Sequence, residues 1–212
     1  YLSVVFPEMV DNLQYNTTSG LFLILANDQP TEESAAYHGF FIRDSDPQTK
    51  TATNTDLLME RGAKKLSHGM SISLDSSWTT DFHFLGNGKR EADDFFYKPY
   101  LAALTHSGSS MTALGYWAKP FVLENHEMDG HRMITYSVPL QLEDTVYGVL
   151  GVEISMDLLD DYFSVRDLDN SMNAGYALMI DHGNGVYEPL AGKGALYDAA
   201  ARGRDELTLT GG

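Results

Sequence analysis

The chain contains no cysteine among its 212 residues. Without cysteine, neither a disulfide framework nor a thiolate metal site can form. The sequence also lacks a run of about 18 apolar residues, the length that a membrane-spanning helix requires. Because it begins at Tyr1, with neither a methionine nor a signal segment, we expect it to be a piece of a longer protein.

Positively charged residues are scarce. The chain carries 14 Lys and Arg against 30 Asp and Glu, which gives a formal net charge of -16. Such a balance repels phosphate backbones and anionic lipid surfaces alike, so we expect no nucleic-acid partner. The length allows either one ample core or a larger and a smaller domain.

Motifs of catalysis are also missing. The sequence has no Gly-x-Ser-x-Gly elbow, no His-Glu-x-x-His pair and no Walker sequence. We therefore expect a binding protein rather than an enzyme, with no cofactor and no bound metal. The loop from His126 to His131 holds nitrogen and oxygen donors, but metal ligands need fixed geometry and outer support, which a hairpin tip rarely provides. A solvated loop is favoured there, and an exported hydrolase with a metal at His126 and His131 is the alternative.

The most informative segment is a predicted hairpin. Two β-rich runs, residues 134–140 and 147–155, flank the turn-forming pair Glu143 and Asp144. The second run contains glycines at positions 148 and 151. Glycine inside a strand marks a place where another group approaches the sheet closely.

These two strands resemble a signature of the extracytoplasmic Cache domains of bacterial transmembrane receptors. The signature is a Ser-x-Pro strand, here Ser137-Val-Pro139, and then a Gly-Val-x-Gly-Val-Asp-Ile-Ser strand, here residues 148–155 with Glu153 in place of the aspartate. The resemblance implies a PAS-like α+β fold with a central antiparallel sheet. It also implies a small-molecule sensor on the extracellular or periplasmic face of the membrane, anchored through flanking segments. The intact receptor would be a histidine kinase, a diguanylate cyclase or a chemoreceptor.

We expect three segments along the chain. Residues 1–20 should form a helix, since apolar residues from Leu2 to Leu13 recur at the spacing of one helical face, and the resemblance makes this helix the stalk. The resemblance makes residues 21–165 the membrane-distal Cache domain and residues 166–212 a partial membrane-proximal one. In Cache receptors the stalk helix is a common homodimer surface, and a helix packed on its own domain is the alternative.

Local patterns predict the remaining elements. Strands are expected over residues 20–26, 38–43, 114–121 and 174–181, a strand or pocket-lining loop over 69–88, and helices over 56–66, 95–104 and 156–163, the last capped by Ser155. The helix over 95–104 follows Asp93 and Asp94 and resembles the helix that covers the pocket in Cache domains.

The strand over residues 145–155 places alternate residues on opposite sides. One side carries Tyr147, Val149, Gly151 and Glu153, and we expect it to be the floor of a pocket for a positively charged group. The other side is expected to be core. In amino-acid-binding Cache receptors the matching aspartate binds the ligand's ammonium, and the resemblance carries that role over to Glu153. A strand-end glutamate paired with Lys or Arg is the alternative.

An arginine clamp for a ligand carboxylate is missing from the lid helix. In those receptors the arginine lies at the position of Asp94, so the resemblance favours an amine, a quaternary ammonium or an uncharged solute. Asp94 as a helix cap is the alternative. The expected ligand-binding residues are Trp78, Asp94, Phe96, Tyr97, Tyr116, Tyr136 and Glu153, of which Trp78, Tyr97, Tyr116, Tyr136 and Glu153 should share one pocket. A surface adhesion module without a pocket is a further alternative.

Overall fold

The computed structural model describes residues 1–26, 36–49, 53–106, 108–123, 131–163, 168 and 173–209. These residues divide into two compact units, Tyr1–Ile154 and Ser155–Gly212. Helices and strands occur in both units, so the fold class is α+β, as predicted. Their assignment to distal and proximal Cache domains stays a prediction. Within the described part of the chain, no helix is long and apolar enough to cross a membrane.

The first unit is built on one nine-stranded mixed sheet. Its strands are β1 Gly20–Leu25, β2 Ala36–Asp44, β3 Leu57–Gly62, β4 Ser73–Thr79, β5 Phe82–His83, β6 Tyr116–Trp117, β7 Phe121–Val122, β8 Arg132–Leu142 and β9 Thr145–Ser155. Its helices are α1 Leu2–Tyr15, α2 Lys64–Gly69 and α3 Asp94–Thr105. The strand order is β4-β3-β2-β1-β9-β8-β6, with β5 paired to β2 and β7 paired to β8.

One pairing departs from the antiparallel sheet that the sequence predicts. Strand β4 runs parallel to β3, whereas the other described strand pairs of this sheet are antiparallel. The cause is local, because helix α2 lies between β3 and β4 in sequence and returns the chain so that β4 starts at the same end. The sheet is therefore mixed.

Strand β1 occupies the centre of the sheet, between β2 and β9. Its continuous apolar run reflects burial on both faces. Leu21 and Leu23 belong to a core on the α1 face, whereas Phe22 and Ile24 belong to a second core on the α3 face. The prediction of strands at 20–26 and 38–43 is confirmed.

Strand β3 replaces most of the helix that the sequence predicts over residues 56–66, so that prediction is wrong. Charged residues at positions 60 and 61 are typical of a helix surface, but both side chains are buried here. Arg43 pairs with Glu60 through Nε and Oε1 at 3.1 Å. Arg61 Nη1 donates to the carbonyls of Glu60 and Ser77 at 2.7 and 3.2 Å. Arg43 on β2 and Ser77 on β4 contact these residues from other strands, and a local pattern does not contain that information.

Helix α1 packs on the sheet of its own unit. Phe6, Val10 and Leu13 are its buried residues, at the spacing of one helical face. The ring of Phe6 meets the ring of Phe40 edge to face, with centroids 4.9 Å apart. The helix ends at Tyr15, before the predicted limit of residue 20. A role of α1 in a homodimer stays a prediction.

The second unit contains α4 Met156–Asp161, α5 Ala195–Ala200 and an antiparallel sheet of β10 Tyr176–Gly183, β11 Val186–Lys193 and β12 Leu207–Thr208. The Ser155 hydroxyl accepts a hydrogen bond from the Leu158 N–H at 3.1 Å, which confirms the predicted helix cap. Asn184, with φ of 55°, forms the tight turn between β10 and β11.

Candidate functional site

Aromatic rings fill the space between α3 and the sheet. Six rings form what we call the aromatic cluster: one each on β1 and β2, three on α3 and that of Phe84. In chain order they are Phe22, Phe41, Phe84, Phe95, Phe96 and Tyr97. Phe84 stacks on Phe96 at 4.9 Å between centroids, and Phe22 meets Phe95 edge to face at 5.1 Å. The cavity that the sequence predicts beneath the helix over 95–104 is therefore occupied by side chains at this level of the sheet.

Gly151 shows the same packing from the strand side. A Cβ at this position would overlap the ring of Phe22, its neighbour across the β1–β9 pair. Val149, two residues earlier, is fully buried against the same core. The close approach that a glycine predicts is thus real, but the approaching group is Phe22 and not a ligand. The expectation that this part of β9 is a pocket floor is wrong.

Glu153 lies further along the same face of β9. The alternation of the strand places it on the side of Val149 and Gly151, beyond the aromatic cluster. Its exposed fraction is 0%. Oε1 accepts a hydrogen bond from Ser19 Oγ at 3.1 Å and another from His131 Nε2 at 2.9 Å. Oε2 has no hydrogen-bond partner within the described part of the protein.

A glycine makes room for this carboxylate. Gly20 lies directly opposite Glu153 in the β1–β9 register. A Cβ on Gly20 would overlap Oε2, so the unpartnered oxygen lies over the glycine backbone. The chain therefore holds a buried, incompletely bonded carboxylate in a fixed position.

Four further charged or titratable side chains surround Glu153. Arg43, which pairs with Gly20 on the other side of β1, contacts Glu60 and also places Nη2 3.0 Å from Asp75 Oδ2. Asp75 Oδ1 accepts hydrogen bonds from the N–H and the hydroxyl of Ser77, both at 2.8 Å. We call the set of Arg43, Glu60, Asp75, His131 and Glu153 the Glu153 cluster. Its members come from β2, β3, β4, β9 and the residue before β8.

The electrostatics of the Glu153 cluster favour bound positive charge. Burial raises the pKa of Glu60, the nearby carboxylate of Glu153 raises it further, and Arg43 only partly opposes the shift. Burial alone lowers the pKa of His131, but the hydrogen bond and the charge of Glu153 outweigh it, so the net shift is upward. Three carboxyl groups face one guanidinium and one imidazole. The arrangement therefore concentrates negative charge in a buried position.

Two of the predicted site residues lie elsewhere. Trp78 packs against the core on the α1 face, and its Nε1 donates to the carbonyl of Gly62 at 2.9 Å. Tyr136 lies on the face of β8 opposite to the buried Met133. There it lines a groove together with α1 residues such as Leu13. Both side chains lie on the α1 face of the sheet, whereas Glu153 lies on the same face as Val149. A binding role for either residue stays a prediction.

Four predicted residues lie on or beside α3. Phe96 is inside the aromatic cluster, and the hydroxyl of Tyr97 is 3.3 Å from that of Tyr37 in the same core. Burial raises the pKa of Asp94, and Lys98, 3.8 Å away, partly offsets that rise. Burial also raises the pKa of Tyr116, and a hydrogen bond with Asp94 adds to the rise. The structure thus brings Asp94 and Tyr116 together, and their roles in binding stay predictions.

Sequence reasoning found Glu153 but not its partners. Arg43, Glu60 and Asp75 are separated along the chain and carry no common motif. The sequence favours a solvated loop at His131, with a metal ligand as the alternative, whereas in the structure its Nε2 donates to Glu153. His126 lies outside the described residues. Among the residues that are described, no group of three or more His, Asp or Glu side chains is arranged to hold a metal ion.

Comparisons with known proteins give a limited result. Neither protein-family models nor curated proteins match the chain. Two solved structures are similar to it, both extracellular domains of putative histidine kinases. For soHK1S-Z6 the identity is 15% and the TM-score 0.43, with 84% of this chain and 51% of that chain covered. For mmHK1S-Z3 the identity is 14% and the TM-score 0.45, with 97% of this chain and 61% of that chain covered. The chain thus spans less than two thirds of either structure.

Proposed function

We propose that this chain is the extracellular ligand-binding part of a membrane-bound signalling receptor and that the Glu153 cluster binds a small amine. The observation that carries this proposal is Oε2 of Glu153, which is fully buried and lacks a hydrogen-bond partner in the described structure. Leaving a buried polar atom unpaired costs about 1–3 kcal/mol, and more for a charged group. A ligand that donates a hydrogen bond to Oε2 offsets that cost.

The chemistry of the site favours an ammonium group with N–H donors. A carboxylate oxygen accepts hydrogen bonds, and a cationic donor forms stronger ones than a neutral donor. Arg43 already pairs with Glu60 and Asp75, so it is not placed to clamp a ligand carboxylate as well. An amine without a carboxylate is therefore the ligand class that fits best.

The receptor context rests on the strand pattern of β8 and β9. The Ser-x-Pro strand and the Gly-Val-Leu-Gly-Val-Glu-Ile-Ser strand resemble those of Cache sensor domains. We propose that ligand contacts shift the population between two arrangements of the sensor and that the intact protein converts this shift into a response. The intact protein would be a histidine kinase, a diguanylate cyclase or a chemoreceptor. The proposal includes no reaction in this chain.

A thermal-shift screen tests the ligand class. The panel contains amines, betaines, amino acids, organic acids and sugars. A ligand at 100 times its dissociation constant adds about 2.7 kcal/mol to the free energy of unfolding. We expect amines to give the largest shift.

Two variants locate the site. Glu153→Gln keeps the size of the side chain but removes its charge, and it should abolish the shift given by amines. Glu91→Gln is the matched control, because Glu91 is an exposed glutamate paired with Lys119, and it should retain the shift. If no amine stabilises the protein, or if Glu153→Gln responds like the parent protein, the proposal is wrong.

A further inference from the structure

We propose that the protonated imidazole of His131 competes with the ligand's ammonium group for the carboxylate of Glu153. The affinity for the ligand therefore rises with pH. This inference rests on the proposed function and adds a form of regulation to the same site. In the ligand-free protein the imidazole would occupy part of the place that the ammonium takes.

The contact between the two side chains suits such an exchange. His131 Nε2 is 2.9 Å from Glu153 Oε1, the oxygen next to the unpartnered Oε2. The His131 side chain is 18% exposed, whereas that of Glu153 is 0% exposed. The imidazole therefore reaches Glu153 from the rim, and its withdrawal leaves the carboxylate where Gly20 and Ser19 hold it.

Several charged and titratable groups on the surrounding strands face Glu153, and the group that changes charge near neutral pH would set the pH dependence of binding. Arg43 on β2 pairs with Glu60 on β3 and Asp75 on β4. Histidine is the side chain that gains or loses charge near neutral pH. Glu60 faces the same space, and burial raises its pKa above the usual range of a glutamate. A test must therefore separate His131 from Glu60.

The sign of the effect follows from linkage. The carboxylate of Glu153 favours the protonated imidazole and raises the pKa of His131. Below that pKa the imidazolium holds Glu153, and a cationic ligand must displace it. Above it the imidazole is neutral and competes weakly. Because coupling between binding events is reciprocal, the bound ligand lowers the pKa of His131 and releases a proton.

The experiment measures the affinity of methylammonium by NMR titration between pH 5.5 and 8. In the parent protein the dissociation constant should fall about tenfold across this range, as expected for competition with one proton. In His131→Gln, which keeps a hydrogen-bond donor without the charge, the change should be less than about twofold. Glu91→Gln, an exposed change outside the Glu153 cluster, should keep the tenfold change, so a loss that occurs in His131→Gln, where Glu60 is intact, is assigned to His131.

The imidazole signal gives a second readout. Saturating methylammonium should shift the titration midpoint of the His131 Cε1–Hε1 resonance to lower pH, and Glu153→Gln should shift the midpoint in the same direction without ligand. Identical pH profiles for the parent protein and His131→Gln would overturn the inference while amine binding stands. Failure of methylammonium to bind at any pH would overturn the proposed amine site and this inference together.

Discussion

Gly151 shows how one residue decides the packing between two strands. The ring of Phe22 rests on its backbone, so the glycine belongs to the core and not to a ligand site. The sequence pattern predicts a close approach at a strand glycine but contains nothing about the identity of the approaching group. Gly20, on the neighbouring strand, plays the corresponding part for the carboxylate of Glu153.

Replacing Gly151 by alanine should destabilise the first unit. The added methyl group overlaps the Phe22 ring, which is itself held by Phe41 and Phe95, and overpacking of this kind costs about 1–3 kcal/mol. Urea unfolding would measure the loss. Gly69→Ala is the control, because no heavy atom lies within 4 Å of the added Cβ, and it should change the free energy of unfolding by less than about 0.5 kcal/mol. Equal effects of the two substitutions would contradict this account.

At the scale of the element, helix α1 is part of the core of the first unit. Its apolar face covers one side of the sheet while α3 and the aromatic cluster cover the other. Strand β1 therefore carries no polar face, and its sequence is apolar throughout. The helix stabilises the unit whether or not it also binds a second copy.

Truncating Phe6 tests this contribution. Phe6→Ala removes the edge-to-face contact with Phe40 and should lower the free energy of unfolding by about 3–5 kcal/mol. Val4→Ala on the same helix should have an effect below about 0.5 kcal/mol, because Val4 is exposed. Chemical denaturation followed by circular dichroism would compare them. A small effect of Phe6→Ala would show that the helix is only loosely held.

Elements with a strong local pattern were predictable from sequence. The β8–β9 hairpin, strands β1 and β2, helix α3 and the Ser155 cap each follow from periodicity or capping chemistry. Strand β11 was missed because Pro189 interrupts its pattern, and proline normally argues against a strand interior. Strand β3 is not predictable from its own sequence, because its buried charged residues contact Arg43 and Ser77 on other strands. The Glu153 cluster is likewise not predictable from a local pattern, because its members come from strands that are far apart in sequence.

At the scale of the whole molecule, a buried carboxyl group shapes the dependence of stability on pH. Burial of Asp44 raises its pKa from 3.8 to about 6, the N–H of Asp46 partly opposes this, and the charges of Asp56 and Asp46 add to it. A carboxyl group with a higher pKa in the folded state binds its proton more tightly there. Its stabilising contribution is therefore complete below the unfolded pKa and is lost as the pH rises through about 6.

Asp44→Asn should remove this dependence. The amide oxygen still accepts from the N–H of Asp46, 2.9 Å away in the parent protein, and carries no buried charge. At pH 7.5 the variant should be more stable than the parent by on the order of 1–3 kcal/mol, and the difference should shrink as the pH falls toward 4. Urea unfolding across this pH range would give both profiles. Asp11→Asn, an exposed change on α1, is the control, and profiles for Asp44→Asn that run parallel to the parent would refute the assignment.

The two-residue length of β6 and β7 limits how copies of this protein can associate. Both strands lie beyond β8 at one border of the large sheet. A border that short offers few backbone groups for hydrogen bonds to another chain, so lateral growth into a continuous intermolecular sheet is disfavoured on this side. Self-association would instead use side-chain surfaces, and the solvent-facing flank of α1, with Val4 and Tyr15 exposed, is one such surface.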